Sequence, residues 1–397
     1  MEKVLEGIRV LDFSRFAAGP YCGTLLADMG AEVIRIENPG GSEDRKLGPF
    51  APNGESLPFS LVLPRNKKGI TLKLRTDKGK EILKELVQRS DVVLHNFTSG
   101  SEEASILDYE SLRGINPKVI LVSVTGFGAT GPFSQQPCFD SVAQALSGAM
   151  SYTGFPDNPP TRAAVAYVDF GTAVHAALGT VLALYHRMRT GEGQMVDLAL
   201  MDVATSFVTA VGVVADYKIL NYIRPQIGNH SFYNFSDCFQ AKDGWLMISV
   251  IGNSIWRRFL KAIGREDLKD DPRFEDDMAR FQNRQVIQTI VSQWMKARTV
   301  AEAIKQLDEA RVPCSKVNNI AEMTDDPRVK ARDMLVDLEY PEVGKVPVPG
   351  VTIKMSRTPG KIERPAPRVG EHNEEIYCDL LGFSSEKLSQ LKADGIV

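Results

Sequence analysis

The sequence predicts an α/β protein with a parallel, helix-covered sheet and a second, smaller domain, and three observations carry that prediction. Through the N-terminal third, short runs rich in Val, Ile and Leu alternate with amphipathic segments of helical period, as buried strands joined by helical crossovers do. The chain has 397 residues, 43% hydrophobic and 24% charged, enough for two domains of ordinary globular composition. Beyond residue 202 the alternation gives way to an apolar helix, a loop, a hairpin signal and further helices.

Residues 8–13 read as the first strand, 21–29 as a helix and 32–37 as the second strand. After a Gly/Pro-rich excursion the pattern resumes with a strand at 69–74, a helix at 77–89 and strands at 91–96 and 118–124. Ligands on such sheets bind at the loops beyond the carboxyl ends of the strands, here 14–20, 38–48, 96–101 and 125–132. The stretch 163–202, AAVAYVDFGTAVHAALGTVLALYHRMRTGEGQMVDLALMD, reads as an extended lead-in to Asp169, a helix to about Met188 closed by Gly191 and Gly193, and a buried strand at 195–200. Asp169 is thus expected at a helix start, where four N–H groups lack partners and the dipole is positive. Two roles are open there: the helix N-cap, the commoner role for such an Asp, or a carboxylate kept ionised for nucleophilic or basic work.

Residues 201–215 read as an apolar helix and 222–237 as a loop or crossing segment. A hairpin at 238–241 and 245–250 turns on Lys242-Asp243-Gly244, and helical patterns follow at 255–263, 282–297 and 300–310. A Pro-rich stretch, 340–367, precedes a helical tail from Glu374.

A formal net charge of −3 offers no basic field for nucleic acid. The N-terminus lacks a signal-peptide layout. The longest apolar region, 198–217, is interrupted by Asp202 and Asp216 and reads as core, not as a membrane span. Five cysteines without CxxC spacing suggest reduced thiols and a cytoplasmic protein, and five dispersed histidines suggest no metal site. In the first loop, SRFAAGP, Gly19, Gly23 and Gly30 do not make GxGxxG, which sets a nicotinamide cofactor aside despite Glu37. RNKKGITLKLR at 65–75 carries five cations. They read either as edge-strand charge that discourages aggregation or as holders of the phosphates of an extended anionic ligand.

Several stretches are together similar to the class III coenzyme A transferases, which include the formyl-CoA, carnitine and bile-acid CoA-transferases. They are LEGIRVLDFSRFAAGPYCGTLLADMGAEVIRIE (5–37), RNKKGITLKL (65–74), DVVLHNF (91–97) and INPKVILVSVTGFGATGP (115–132). Asp-Phe-Gly at 169–171, RTGEGQ at 189–194 and APRVGEH at 366–372 complete the set, in order over nearly the whole chain. The resemblance implies a large Rossmann-like CoA-binding domain beginning at 1–225, an inserted α+β domain at 226–325 and a return segment at 326–397 that completes the large one. It also implies a homodimer of interlocked rings and no permanently bound cofactor or metal, with coenzyme A and acyl-CoA as substrates.

The family's nucleophile falls on Asp169. Its CoA contacts fall on Ala17 and Ala18 beside the CoA chain, and on Leu72, Lys73 and Arg75 around the nucleotide. Asn96 and Phe97 fall at the adenine or diphosphate, and Pro137, Cys138, Phe139 and Asp140 near the pantetheine and thiol. The oxyanions of acyl transfer need backbone donors, expected near Phe170–Gly171 and from a small-domain loop at Gly252-Asn253. Two departures stand out. Ala17 replaces the Gln of the formyl-CoA enzyme, which disfavours a small oxalate-like acid. Ser101-Glu102-Glu103-Ala104 lacks the Arg that relatives place after Asn-Phe, so that one phosphate contact is expected either to be missing or to be supplied elsewhere, by Arg65 or Lys67.

The resemblance thus implies CoA transfer between an acyl-CoA and a small to medium organic acid, through an aspartyl mixed anhydride and an aspartyl-CoA thioester. One alternative is an acyl-CoA α-epimerase of the same fold. That activity needs a second base, which relatives supply as a His where this chain has Phe139. The other is a non-catalytic CoA-binding dimer. His175 is expected as a packing histidine and His95 as a strand end, while Phe16, Phe139, Tyr152 and Phe155 are candidates for an acyl pocket.

Overall fold

A computed structural model describes residues 3–397. Its larger unit comprises residues 3–149, Ala163–Leu220 and Pro327–Val397. The unit is built on six strands: β1 (Arg9–Asp12), β2 (Glu32–Glu37), β3 (Lys68–Thr71), β4 (Val92–His95), β5 (Ile120–Thr125) and β6 (Met195–Ala199). They lie in the order β3-β2-β1-β4-β5-β6, and every neighbouring pair is parallel. The order reverses between β1 and β4, which makes the carboxyl ends of these two strands the switch point where such sheets take ligands.

The strands carry apolar residues on both faces because both faces are covered. Leu11, Ile34, Ile70, Val93 and Leu121 bury one face with Ile82 and Leu86 of helix α2 (Asp77–Gln88). Val10, Val33, Val92 and Val122 bury the other with Cys22 and Leu26 of α1 (Ala18–Asp28) and the alanines of α4 (Tyr167–Thr190). Between these helices in sequence lies the short α3 (Asp140–Leu146).

Helix α4 starts two residues before Asp169, not after it as expected, and ends at Gly191 in the left-handed conformation. By length and composition it could cross a membrane. One face, with Ala173, Ala176 and Ala183, is buried against the sheet and α1, and the other leaves Val174, Leu178, Leu182 and Met188 exposed. The single helix expected at 201–215 is two, α5 (Leu200–Ala210) and α6 (Val213–Leu220), bent by 63° around Gly212, whose φ of +82° ends the first.

Edge strand β3 is closed by a downstream segment. Asn373 accepts from the Thr71 N–H at 2.9 Å, Tyr377 donates to the Thr71 carbonyl at 2.6 Å, and the His372 N–H reaches the Gly69 carbonyl. The Pro-rich region contains an unforeseen antiparallel hairpin, β10 (Leu335–Tyr340) with β11 (Gly344–Pro349), whose Leu338, Tyr340, Val346 and Val348 are buried. Its prolines are tolerated because the ribbon has two strands, each of them an edge.

The smaller unit comprises Met150–Arg162 and Asn221–Asp326. Strands β7 (Phe235–Gln240), β8 (Trp245–Val250) and β9 (Cys314–Lys316) form an antiparallel sheet around Phe235, Phe239, Trp256, Phe259 and Trp294.

Candidate active site

The loops after β1, β4 and β5 and the starts of α3 and α4 enclose a cavity of about 130 Å³. Asp169 lines it together with Ala17, Ala18, Asn96, Cys138 and Phe139, and Phe16 stands edge-on to Phe139 at 5.5 Å. Burial, with Asp140 adding to it, raises the Asp169 pKa to about 7. The expectation that a helix start would hold this carboxylate firmly ionised is therefore corrected. The positive end of α4 is already taken.

Asp140 takes it. The N-cap residue of α4, Ala166, has no side chain able to cap, and Asp140 supplies that function from α3. Its Oδ1 accepts from the N–H groups of Val168 at 2.9 Å and Asp169 at 3.2 Å, and its Oδ2 accepts from Gln144 Nε2 at 2.6 Å. The Phe170 N–H bonds to the Ala166 carbonyl. The first-turn amides expected to serve an oxyanion are thus spent inside the helix and on Asp140. Asp140 itself is buried and does not line the cavity.

Ahead of α1, the first loop is held from below. Asn96 grips Arg15 from both sides, accepting from its N–H at 2.8 Å and donating to its carbonyl at 2.7 Å. Phe16 sits at φ +64°, a conformation a bulky residue adopts only when its surroundings impose it, and its N–H is fixed by Asp44 at 3.0 Å. Helix α1 then opens with no side-chain cap, so its Ala18 end meets the cavity as bare backbone. The loop packs so closely that a Cβ on Gly19 would stand 2.3 Å from Ser14 Cβ, and one on Gly126, after β5, 2.3 Å from Cys138 Cβ.

The cavity thus brings together Ala17, Ala18, Asn96, Pro137, Cys138, Phe139 and Asp169. Leu72, Lys73, Arg75 and Phe97 do not line it: Leu72 is a core residue, Phe97 packs against the same core, Lys73 is exposed, and Arg75 pairs with Glu103 at 2.7 Å. Arg65 and Lys67 are not spare phosphate ligands. Both are buried, Arg65 paired with Asp28 and Lys67 with Asp12, each at 2.7 Å. The Gly252 N–H, expected at an oxyanion, is bonded to Asp277 at 2.9 Å. Tyr152 and Phe155 belong to the smaller unit, and His175 is exposed, bonded to the Gly171 carbonyl at 2.8 Å. His95 is buried at the end of β4, where desolvation lowers its pKa to about 4 and keeps it neutral. Thr98 and Gln136, which also line the cavity, carry no sequence signal beyond their loops. Among the described residues no three His, Cys, Asp or Glu side chains converge as a metal site requires.

A carboxylate with a raised pKa, held in a pocket of mixed polar and apolar lining at the switch point of a doubly wound sheet, is the arrangement of an enzyme. Residues 5–373 match the family model for CoA-transferase family III. The chain is 36% identical to succinyl-CoA–D-citramalate CoA-transferase of Chloroflexus aurantiacus, over 99% of this chain and 98% of that one. It is 38% identical to succinate–glutarate CoA-transferase of Agrobacterium fabrum, over 95% of each. Among solved structures, a CAIB/BAIF family protein from Brucella suis matches with a TM-score of 0.84 and 31% identity, over 96% of this chain and 100% of that one. The chain belongs to CoA-transferase family III. It is an acyl-CoA:carboxylate CoA-transferase.

Proposed function

We propose that this enzyme moves coenzyme A from succinyl-CoA to a second dicarboxylic acid of similar size, with Asp169 as covalent nucleophile. The donor and acceptor class is supported by the names of the relatives, which act on succinyl-CoA with D-citramalate and on succinate with glutarate. The observation that carries Asp169 is its carboxylate in the cavity with a pKa raised to about 7, so that near neutral pH it is both ionised in part and unusually basic.

In the first step an Asp169 oxygen attacks the acyl carbonyl of the donor. A C–O bond forms, the C–S bond breaks, and CoA leaves as thiolate. The thiolate then attacks the aspartyl carbonyl, forming aspartyl-CoA and releasing the donor acid as carboxylate. The acceptor carboxylate attacks that thioester, giving a second mixed anhydride and thiolate, and the thiolate takes the acceptor's acyl group and frees Asp169. No proton is gained or lost, and each step exchanges one acyl bond for another. The oxyanion of each step takes its hydrogen bonds from the uncapped start of α1 at Ala18. The pantetheine lies along Ala17 and Ala18, Pro137 and Cys138, and the paired rings of Phe16 and Phe139 cover the acyl chain.

The active protein is an interlocked homodimer without a permanent cofactor, working in the cytoplasm. Along α4 the exposed Val174, Leu178, Leu182, Tyr185 and Met188 repeat at helical spacing, an apolar stripe suited to a second copy. The epimerase reading is weaker, since Phe139 offers no base beside Asp169 and both oxygens of Asp140 are hydrogen-bonded within the protein.

Intact-protein mass spectrometry after mixing with succinyl-CoA tests the mechanism. The expected result is a CoA adduct that hydroxylamine removes, mapped to Asp169, and a loss of at least about 10³-fold in kcat for Asp169→Ala. Normal turnover by Asp169→Ala would sink the assignment.

A further inference from the structure

Behind Asp169 two runs of hydrogen bonds converge on Asp140. The Ala163 N–H donates to Gln144 Oε1 at 2.9 Å, and Gln144 Nε2 donates to Asp140 Oδ2 at 2.6 Å. From the other side the Val168 and Asp169 N–H groups donate to Asp140 Oδ1. The two runs meet at Asp140, which must accept at both ends. Asp140 and Gln144 are both almost fully buried, 6% and 1% exposed, so solvent replaces none of these bonds. An acceptor-only group is required here, and the acceptor-only side chain of that length is an ionised Asp. Asn would turn its NH2 either onto the amides of α4 or onto the NH2 of Gln144. Gln144 cannot flip to receive it without aiming that NH2 at the Ala163 N–H.

We propose that Asp140 is the positioning residue for Asp169, fixing the first turn of α4 through the amides behind the nucleophile and acting on the chemical step rather than on CoA affinity. The inference rests on reading Asp169 as the nucleophile. It differs from the CoA contact that the family resemblance places at Asp140, because the carboxylate points into the protein and is saturated there. A nucleophile displaced by an ångström loses orders of magnitude in rate while the substrate still binds. The fixed negative charge also adds to the burial that keeps Asp169 basic.

The test uses two variants of the full chain and separates kcat from KM. Asp140→Asn is expected to lower kcat by about 30-fold or more, with KM for succinyl-CoA changed by less than about threefold. Asp140→Asn/Gln144→Glu reverses the polarity of one link: the new Asn donates to the new Glu, which also accepts from Ala163, and the α4 amides keep their acceptor. This double variant is expected to recover Tm and at least about tenfold of the lost kcat. If Asp140→Asn does not fold, the double variant is read alone and must stay within about tenfold of the parent kcat. Three results would overturn the inference: an unchanged kcat in Asp140→Asn, an effect confined to KM, or recovery of Tm in the double variant without recovery of kcat. An active Asp169→Ala would instead remove the nucleophile reading. An inactive Asp169→Ala beside a fully active Asp140→Asn would remove this inference alone.

Discussion

Asp169→Asn is expected to stabilise the protein, and to do so only as the pH rises. The folded chain holds the Asp169 proton to about pH 7, whereas in the unfolded chain it leaves near the ordinary value of 3.8. Between those values the unfolded state has released a proton that the folded state keeps, so raising the pH weakens the fold. The shift of roughly three units corresponds to about 4 kcal/mol once the pH exceeds 7, at about 1.36 kcal/mol per unit. At pH 4.5 the same linkage leaves only about 1 kcal/mol. Asn keeps the size and loses the charge, so the variant escapes the penalty at either pH. Urea denaturation of parent and variant at one protein concentration should show the variant's advantage growing by about 3 kcal/mol between pH 4.5 and pH 8. An advantage independent of pH, or a variant weaker than the parent at pH 8, would refute the placement of this carboxylate in a desolvated site. A gain in stability on removing this charge is what is expected where the fold bears the cost of a desolvated carboxylate.

Two further expectations follow from the buried ion pairs and the exposed helix face. Lys67→Met leaves Asp12 charged and buried without its partner, and should cost about 3–5 kcal/mol in the same denaturation assay. Exposed Lys73→Ala should stay within about 0.5 kcal/mol of the parent, and equal costs for the two would contradict the burial assigned to Lys67. Leu178→Glu/Leu182→Glu places two charges on the apolar stripe of α4 and should convert a dimer to monomers in sedimentation velocity at micromolar concentration, while an unchanged sedimentation coefficient would place the self-association surface elsewhere.

Much of the parallel sheet was legible because its strands are apolar on both faces: VVL at 92–94 and ILV at 120–122 admit few other readings. The start of α4 was not legible, because its cap is Asp140, 28 positions upstream of Val168, and a local pattern cannot show a cap supplied from another helix. The cations at 65 and 67 looked available for the same reason. Their partners, Asp28 and Asp12, lie 37 and 55 positions away. Hairpin β10–β11 was hidden by prolines that discourage a strand reading, although Leu338, Tyr340, Val346 and Val348 carry the alternating burial of one. At the cavity, the residues on loops that follow strands were visible as candidates. That Leu72 is core and that Asp140 faces inward depend on side-chain direction, which a one-dimensional reading does not contain.

The closure of β3 by residues 372–377 bears on how the protein is made. Thr71 waits for Asn373 across 302 positions, and for Tyr377 across 306. On the ribosome, strands β1 to β6 all emerge while the flank of β3 still presents unpaired backbone, and the whole antiparallel unit is synthesised in that interval. At a few to some twenty residues per second, the gap lasts on the order of ten seconds to a minute. An open flank of Val- and Ile-rich sheet is a template for foreign strands throughout that time. The side chain of Lys68 sits on that flank, already paired with Glu32 of β2, and Glu375 joins the pair at 2.6 Å only when the closing segment arrives.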